Sequence, residues 1–122
     1  MSADRRELGK LGENFACDFL GKRGYKIISQ NYRIRGGEID IIAEDGDTIV
    51  FIEVKTRKSL AFGHPEEAIN KRKQHKLALV AEQYLSSHEL YEKDYRIDVI
   101  GIEVGQDGQL VNLRHGKDIV GW

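Results

Sequence analysis

The 122 residues predict an α/β sandwich, with helices on both sides of a mixed sheet, on three observations. Apolar residues recur at helical spacing near the N terminus and again after residue 65, while the stretches between and after are rich in β-branched and aromatic residues. Two successive β-rich runs, Glu38 to Ala43 and Thr48 to Lys55, are mostly apolar on both faces and therefore need cover on both sides. The length suits a single domain spanning residues 1–122, and neither a linker nor an internal repeat divides it.

Each element has its own signal. Asp4 with Glu7 reads as a capping box, and Leu8, Leu11, Phe15, Ala16, Phe19 and Leu20 follow at helical spacing, so a helix is expected from Asp4 to about Lys22. After Gly24, Tyr25 to Ile34 reads as a strand that Gly36-Gly37 breaks. The next two strands are joined by Glu44-Asp45-Gly46-Asp47, whose Asp-Gly pair signals a hairpin. Ser59 to His64 is expected to be a loop. Pro65, Glu66 and Glu67 suit the first turn of a second helix, where a missing N–H costs little and acidic groups favour the dipole. That helix can break near Asn70, runs to about Leu85 and buries Leu77, Val80, Ala81, Tyr84 and Leu85. Ser86 to Asp94 connects to a strand at Tyr95 to Val104, and Gln109 to Arg114 makes an extra C-terminal strand. The order is αβββαβ plus that strand.

Composition excludes several functions. Hydrophobic residues make up 40% and charged residues 32%, which is globular and not disordered. The longest apolar run, Leu77 to Ala81, is far short of the ~20 residues that span a bilayer. Arg5 and Arg6 are followed by Glu7, Lys10 and Glu13 instead of the apolar stretch of a secretory leader, so a cytoplasmic protein without a membrane partner is expected. One cysteine, Cys17, excludes an internal disulfide and every multi-cysteine zinc site. The net charge of -1 excludes a broad polybasic coat. The charge is nevertheless uneven: residues 1–76 hold 15 basic and 12 acidic side chains, whereas residues 77–122 hold 4 and 8.

The candidate chemistry lies on the hairpin. Strand alternation puts Asp40 on a face with Glu38 and Ile42, and Glu53 on a face with Phe51 and Lys55. A loop of two residues (Asp45-Gly46) or four (Glu44 to Asp47) sets Asp40 opposite Phe51 and Glu38 opposite Glu53. Asp40 is then the diagonal neighbour of Glu53, at roughly 7–8 Å between backbones. Opposed carboxylates on an apolar surface need a compensating cation. Lys55 can neutralise one, and hard oxygen ligands suit Mg²⁺ or Mn²⁺. Such an ion can lower the pKa of a bound water, while Lys55 orients that water and stabilises charge developing on phosphate, which is the chemistry of phosphodiester hydrolysis. The same residues also describe a salt-bridged strand end, with Lys55 pairing Glu53 across solvent. The apolar neighbours Ile39, Ile41, Ile52 and Val54 weigh toward a site. Glu13 lies roughly 20° beyond Leu20 on the first helix, at the margin of its apolar stripe, where it can turn inward or face water.

Gly37-Glu38-Ile39-Asp40, twelve residues, then Glu53-Val54-Lys55 resembles the PD-(D/E)XK nuclease superfamily, with Ile39 where the superfamily's name has proline. The chain is more closely similar to the YraN-like family of uncharacterised bacterial proteins. That likeness runs from Gly12-Glu13 through the hairpin motifs and Thr56-Arg57 to Arg96-Ile97-Asp98-Val99. The resemblance implies a restriction-endonuclease-like three-layer sandwich, with a mixed central sheet flanked by helices. It implies that Asp40 and Glu53 are metal ligands and Lys55 the catalytic lysine. By relation to Holliday-junction resolvases and repair nucleases, it also implies that Glu13 joins the site. The expected activity is that of a Mg²⁺- or Mn²⁺-dependent endonuclease or exonuclease on DNA, including repair or branched intermediates, and a homodimer is expected by analogy with resolvases that cut paired strands. The alternative is a non-catalytic nucleic-acid-binding module with the same fold and a vestigial site.

Other residues are secondary. Glu38 is expected to support the site without binding the ion. Arg57 and Lys58 lead out of it, and Lys71, Arg72, Lys73 and Lys76 form a basic run on the second helix that reads as phosphate contacts or as a solvated face. The four histidines show no metal spacing, Cys17 reads as a packing residue, and Asp98 is expected to pair with Arg96 or another neighbour.

Overall fold

Alternation along the central strands dictates the layers. In the strand Thr48–Arg57, Ile49 and Phe51 pack with Leu77, Val80 and Ala81 on one side, while Val50 and Ile52 pack with Ala16 and Leu20 on the other. The computed structural model describes residues 2–58 and 63–120, with side chains from Arg5 onward. Its elements are α1 (Ser2–Lys22), β1 (Lys26–Ile34), β2 (Gly37–Asp45), β3 (Thr48–Arg57), a 3-10 turn (Pro65–Ala68), α2 (Lys71–Ser87), β4 (Asp94–Val104) and β5 (Leu110–Gly116). The sheet order is β1-β2-β3-β4-β5, with β3 and β4 parallel and the other neighbours antiparallel. One helix covers each face, giving a three-layer α/β/α sandwich around a mixed sheet in the αβββαβ order, with the extra C-terminal strand. No helix among the described residues is long and apolar enough to cross a membrane.

The element boundaries show where local rules compete. Helix α1 already includes Ser2, two residues before the expected start, and a cap by the Asp4 side chain lies outside the described residues. The expected second helix is two elements. Asn70 is extended, at φ -98° and ψ 178°, and its side chain accepts a 2.9 Å hydrogen bond from the backbone N–H of Lys73, so it caps α2 and stops the preceding turn from running into it. Of the expected loop Ser59 to His64, residues 59–62 lie outside the described residues.

The hairpin register differs from expectation by two residues. Its two-residue loop is Gly46-Asp47 and not Asp45-Gly46: Gly46 takes φ 61° at the first central position, as the primed hairpin turns require, and Asp45 stands opposite Thr48. Phe51 therefore pairs with Ile42, and continuing the ladder past Ile41–Ile52 brings Asp40 in line with Glu53. A shift of two preserves the face, so the carboxylates meet more directly than the expected diagonal.

The expectation that Glu38, Asp40 and Ile42 share a face is also corrected. Ile42 and Ile39 both pack on the α2 side, while Ile41 and Ala43 pack on the α1 side and Glu38 lines a groove against α1. The alternation of β2 thus slips by one residue at Asp40.

Helix α1 is seated by a close approach. A Cβ built on Gly12 would lie 1.8 Å from Thr56 Oγ1 and 2.9 Å from Thr56 Cβ, whereas one on Gly9, a turn earlier, meets nothing within 4 Å. Ala is favoured over Gly in a helix by up to ~1 kcal/mol, so Gly9→Ala should stabilise the protein. Gly12→Ala should cost about 1–3 kcal/mol, because overpacking against β3 outweighs that gain. Urea denaturation of the two variants checks this, and the account requires opposite signs.

Candidate functional site

The site forms where β2 and β3 part. Beyond the Ile41–Ile52 pair the Asp40 carboxylate accepts a 2.8 Å hydrogen bond from the backbone N–H of Val54, standing in for a strand partner. Glu53 is 3% exposed and its carboxyl is in hydrogen-bonding contact with that of Asp40. Burial, then the Glu53 carboxyl beside it, pushes the Asp40 carboxyl up to about 8, although the Val54 N–H pulls the other way.

Two lysines approach Glu53. Lys73 Nζ lies 2.9 Å and Lys55 Nζ 3.8 Å from Oε2. Lys73 belongs to the first turn of α2, so the Asn70 cap that starts this helix also aims it. Burial would lower the Lys73 pKa, but contact with Glu53, helped by Asp40 and Glu38, holds it above the usual lysine value and keeps the ammonium charged. The basic run expected to face phosphate is thus divided. Lys73 turns into the site, Arg72 and Lys76 are exposed, and Lys71 lines a separate hollow of about 500 Å³ with His75 and Val120.

Glu13 turns toward the site from α1. Burial raises its pKa, and the charges of Glu38 and Glu53 add to this, while a hydrogen bond from the Asn31 side chain opposes it. Among the described residues, no three His, Cys, Asp or Glu side chains gather closely enough to hold one ion by themselves. The acidic centre is therefore a pair, Asp40 and Glu53, with Glu13 at longer range. Glu38 pairs with Arg33 at 2.9 Å and lies opposite it in the β1–β2 ladder, so it does not meet Glu53.

Two grooves open on this end of the sheet and share Arg5 and Gly9 of α1. One, of about 440 Å³, runs over Lys55, Arg57 and Lys58; the other, of about 410 Å³, runs over Glu13, Asn31, Arg33 and Asp40 and past Arg6 and Lys10. The cations of α1 and Arg33 escaped the sequence reading. Their one signal is that Arg6, Lys10 and Glu13 recur at helical spacing along one edge of α1.

A second buried acid shows what full satisfaction looks like. Asp98, on β4, is 0% exposed and receives hydrogen bonds from Arg96 Nε at 3.1 Å, His115 Nε2 at 2.8 Å and the Asp118 N–H at 2.9 Å. Burial pushes its pKa up, but these donors outweigh it and hold it below the usual carboxylate value. Asp98 pairs with Arg96 as expected and ties β4 to β5 and the C-terminal turn. Cys17 is partly buried, and burial followed by the charge of Glu13 raises its thiol pKa, the opposite of an activated nucleophile.

Asp40 and Glu53 offer hard oxygen donors, a number of carboxylates that suits Mg²⁺ or Mn²⁺ with waters completing the shell. The chemistry of the donor set fits such an ion, which would offset the burial and the Glu53 charge that raise the Asp40 pKa. Because the folded state holds the Asp40 proton more tightly than the unfolded chain does, its stabilising effect is full below about pH 4 and is lost as pH rises toward about 8. Asp40→Asn should remove that loss. In chelator it should melt about 4 °C or more above wild type at pH 8.5, with the gap closing near pH 4, as thermal denaturation across pH can measure.

Relatives place these residues in a wider group. A "UPF0102 protein" of Dictyoglomus thermophilum is 44% identical over 112 residues, covering 92% of this chain and 95% of its own. One from Carboxydothermus hydrogenoformans is 46% identical over 109 residues, covering 89% and 92%. One from Desulforamulus reducens is 42% identical over 120 residues, covering 97% and 98%. The family model described as "Uncharacterised protein family UPF0102" matches residues 12–102, a span that begins at the glycine seating α1 and takes in Glu13, Asp40, Glu53, Lys55, Lys73 and Asp98, and the chain belongs to this family, the YraN family.

Proposed function

We propose that this protein is a Mg²⁺- or Mn²⁺-dependent nuclease that hydrolyses phosphodiester bonds in DNA, inside the cell, with repair or branched intermediates as substrates. The observation that carries the reading is the pairing of the buried Glu53 carboxyl with the half-buried Asp40, which lines one cationic groove, and Lys55 beside them in the adjoining one. Apposed carboxylates cost stability unless a cation joins them, and a groove lined by arginine and lysine accepts a phosphate backbone.

When bound, a divalent cation supplies Lewis acidity and positive charge at a phosphate; Asp40 and Glu53 are the residues that would hold it. Lys73 forms the short ion pair with Glu53, which leaves the Lys55 ammonium directed to the groove. There Lys55 orients the attacking water and meets the negative charge that builds on the phosphate. Glu13 holds a water by hydrogen bonding from the α1 side. Arg5, Arg57 and Lys58 of that groove contact the nucleic-acid backbone beside the reacting bond, and the exposed Arg72 and Lys76 offer further phosphate contacts from α2.

A second reading, a nucleic-acid-binding module without catalysis, is favoured by one observation: Lys73 already supplies a positive charge to Glu53. A cleavage assay on linear, nicked, flapped and four-way-junction DNA and on RNA separates the two. The nuclease reading expects cutting that requires Mg²⁺ or Mn²⁺ and falls at least about 100-fold in Lys55→Ala and Glu53→Ala. Binding without cutting would establish the module, and cutting that survives both substitutions would overturn the assignment.

A further inference from the structure

The slip in alternation at Asp40 has a partner in β1. Pairing between β1 and β2 steps from Gln30–Ile41 to Tyr32–Ile39, which sets Asn31 opposite Asp40. Asn31 is the non-glycine residue of β1 with positive φ, at 54°. Extended strands use negative φ, and the left-handed region is costly for L-residues other than glycine, with Asn and Asp the best tolerated. One left-handed residue inside a strand turns its peptide planes. The facing strand follows: Ile41 lies on the α1 side and Ile39 on the α2 side.

We infer that Asn31 is a positioning residue for the Asp40 carboxylate, an inference that rests on the metal-site reading of Asp40 and Glu53. With regular alternation, Asp40 would point to the α2 side with Ile42 and Glu53. With the slip, its carboxylate turns between the strands to accept from the Val54 N–H at the parting of β2 and β3, while still meeting Glu53. The Asn31 side chain also hydrogen-bonds Glu13, so the same residue pins the kink to α1. An exposed Asn in a strand otherwise costs β propensity and returns nothing in packing. Here its tolerance of φ 54° and its amide are both used, and they connect Glu13 with Asp40.

The test compares Asn31→Ala with Asn31→Gly, since glycine accepts φ 54° freely and alanine does not. The first readout needs no metal: hydrogen exchange of the Val54 amide, measured by NMR relative to the amide of Ile52. Asn31→Ala should lower the relative protection of Val54 by about tenfold, while Asn31→Gly should stay close to wild type. The second readout is the affinity for Mn²⁺ alone, followed by electron paramagnetic resonance. It should fall about 10- to 100-fold in Asn31→Ala and less in Asn31→Gly, which keeps the kink but loses the amide. Equal Val54 protection in all three proteins, or equal damage by Ala and Gly, would overturn the inference. A wild type that binds no Mn²⁺ would instead remove the metal-site reading, and Val54 exchange would still decide whether Asn31 places Asp40.

Discussion

Two carboxyl groups, Asp40 and Glu53, are held in contact where a hairpin loses its ladder, and the rest of the architecture bears on that constraint. The core supplies the energy that lets it persist. Phe51 and Ile52 are fully buried just before Glu53, and Ile41 and Ile42 just after Asp40, so the strands cannot separate without exposing apolar surface on both faces of the sheet. Both helices then address the pair. Gly12 lets α1 settle against Thr56 and bring Glu13 near, and the Asn70 cap starts α2 where Lys73 reaches Glu53.

The contrast with Asp98 separates scaffold from candidate site. Both aspartates face a burial penalty. Arg96, His115 and a backbone N–H answer it for Asp98, whose pKa falls. Asp40 has one backbone N–H and a second carboxyl for company, and its pKa rises. The fold surrounds Asp98 with cationic and backbone donors but sets Asp40 against a second carboxyl, and perturbed acid pairs of that kind cluster at functional sites. The ion pairs of Arg114 with Glu66 and Glu103 belong with Asp98, since they fasten the 3-10 turn to β4 and β5.

Much of this was legible because it is local. The hairpin, the αβββαβ order and the gathering of Asp40, Glu53 and Lys55 follow from alternation, and alternation survives a register error of two residues. What was not legible depends on contacts distant in sequence or on backbone geometry. The turn placed Gly46 first and not second, which moved Asp40 from Phe51 to Glu53. Lys73 looked like one member of a basic run, and only the packing of α2 on β3 shows that it serves Glu53. Asn31 left a trace, a strand-disfavoured residue inside a β-rich run, but its φ of 54° and its position opposite Asp40 are properties of the folded chain.

The central claim is that the Asp40–Glu53 pair binds a divalent cation in addition to its ion pair with Lys73. Isothermal titration of Mg²⁺ into the protein at pH 7, repeated in buffers of different ionisation enthalpy, tests it most directly by counting protons released on binding. With the Asp40 carboxyl near 8, saturable binding should release close to one proton per ion, and Asp40→Asn should abolish the release. Absence of binding, or binding with no proton released, would contradict the account.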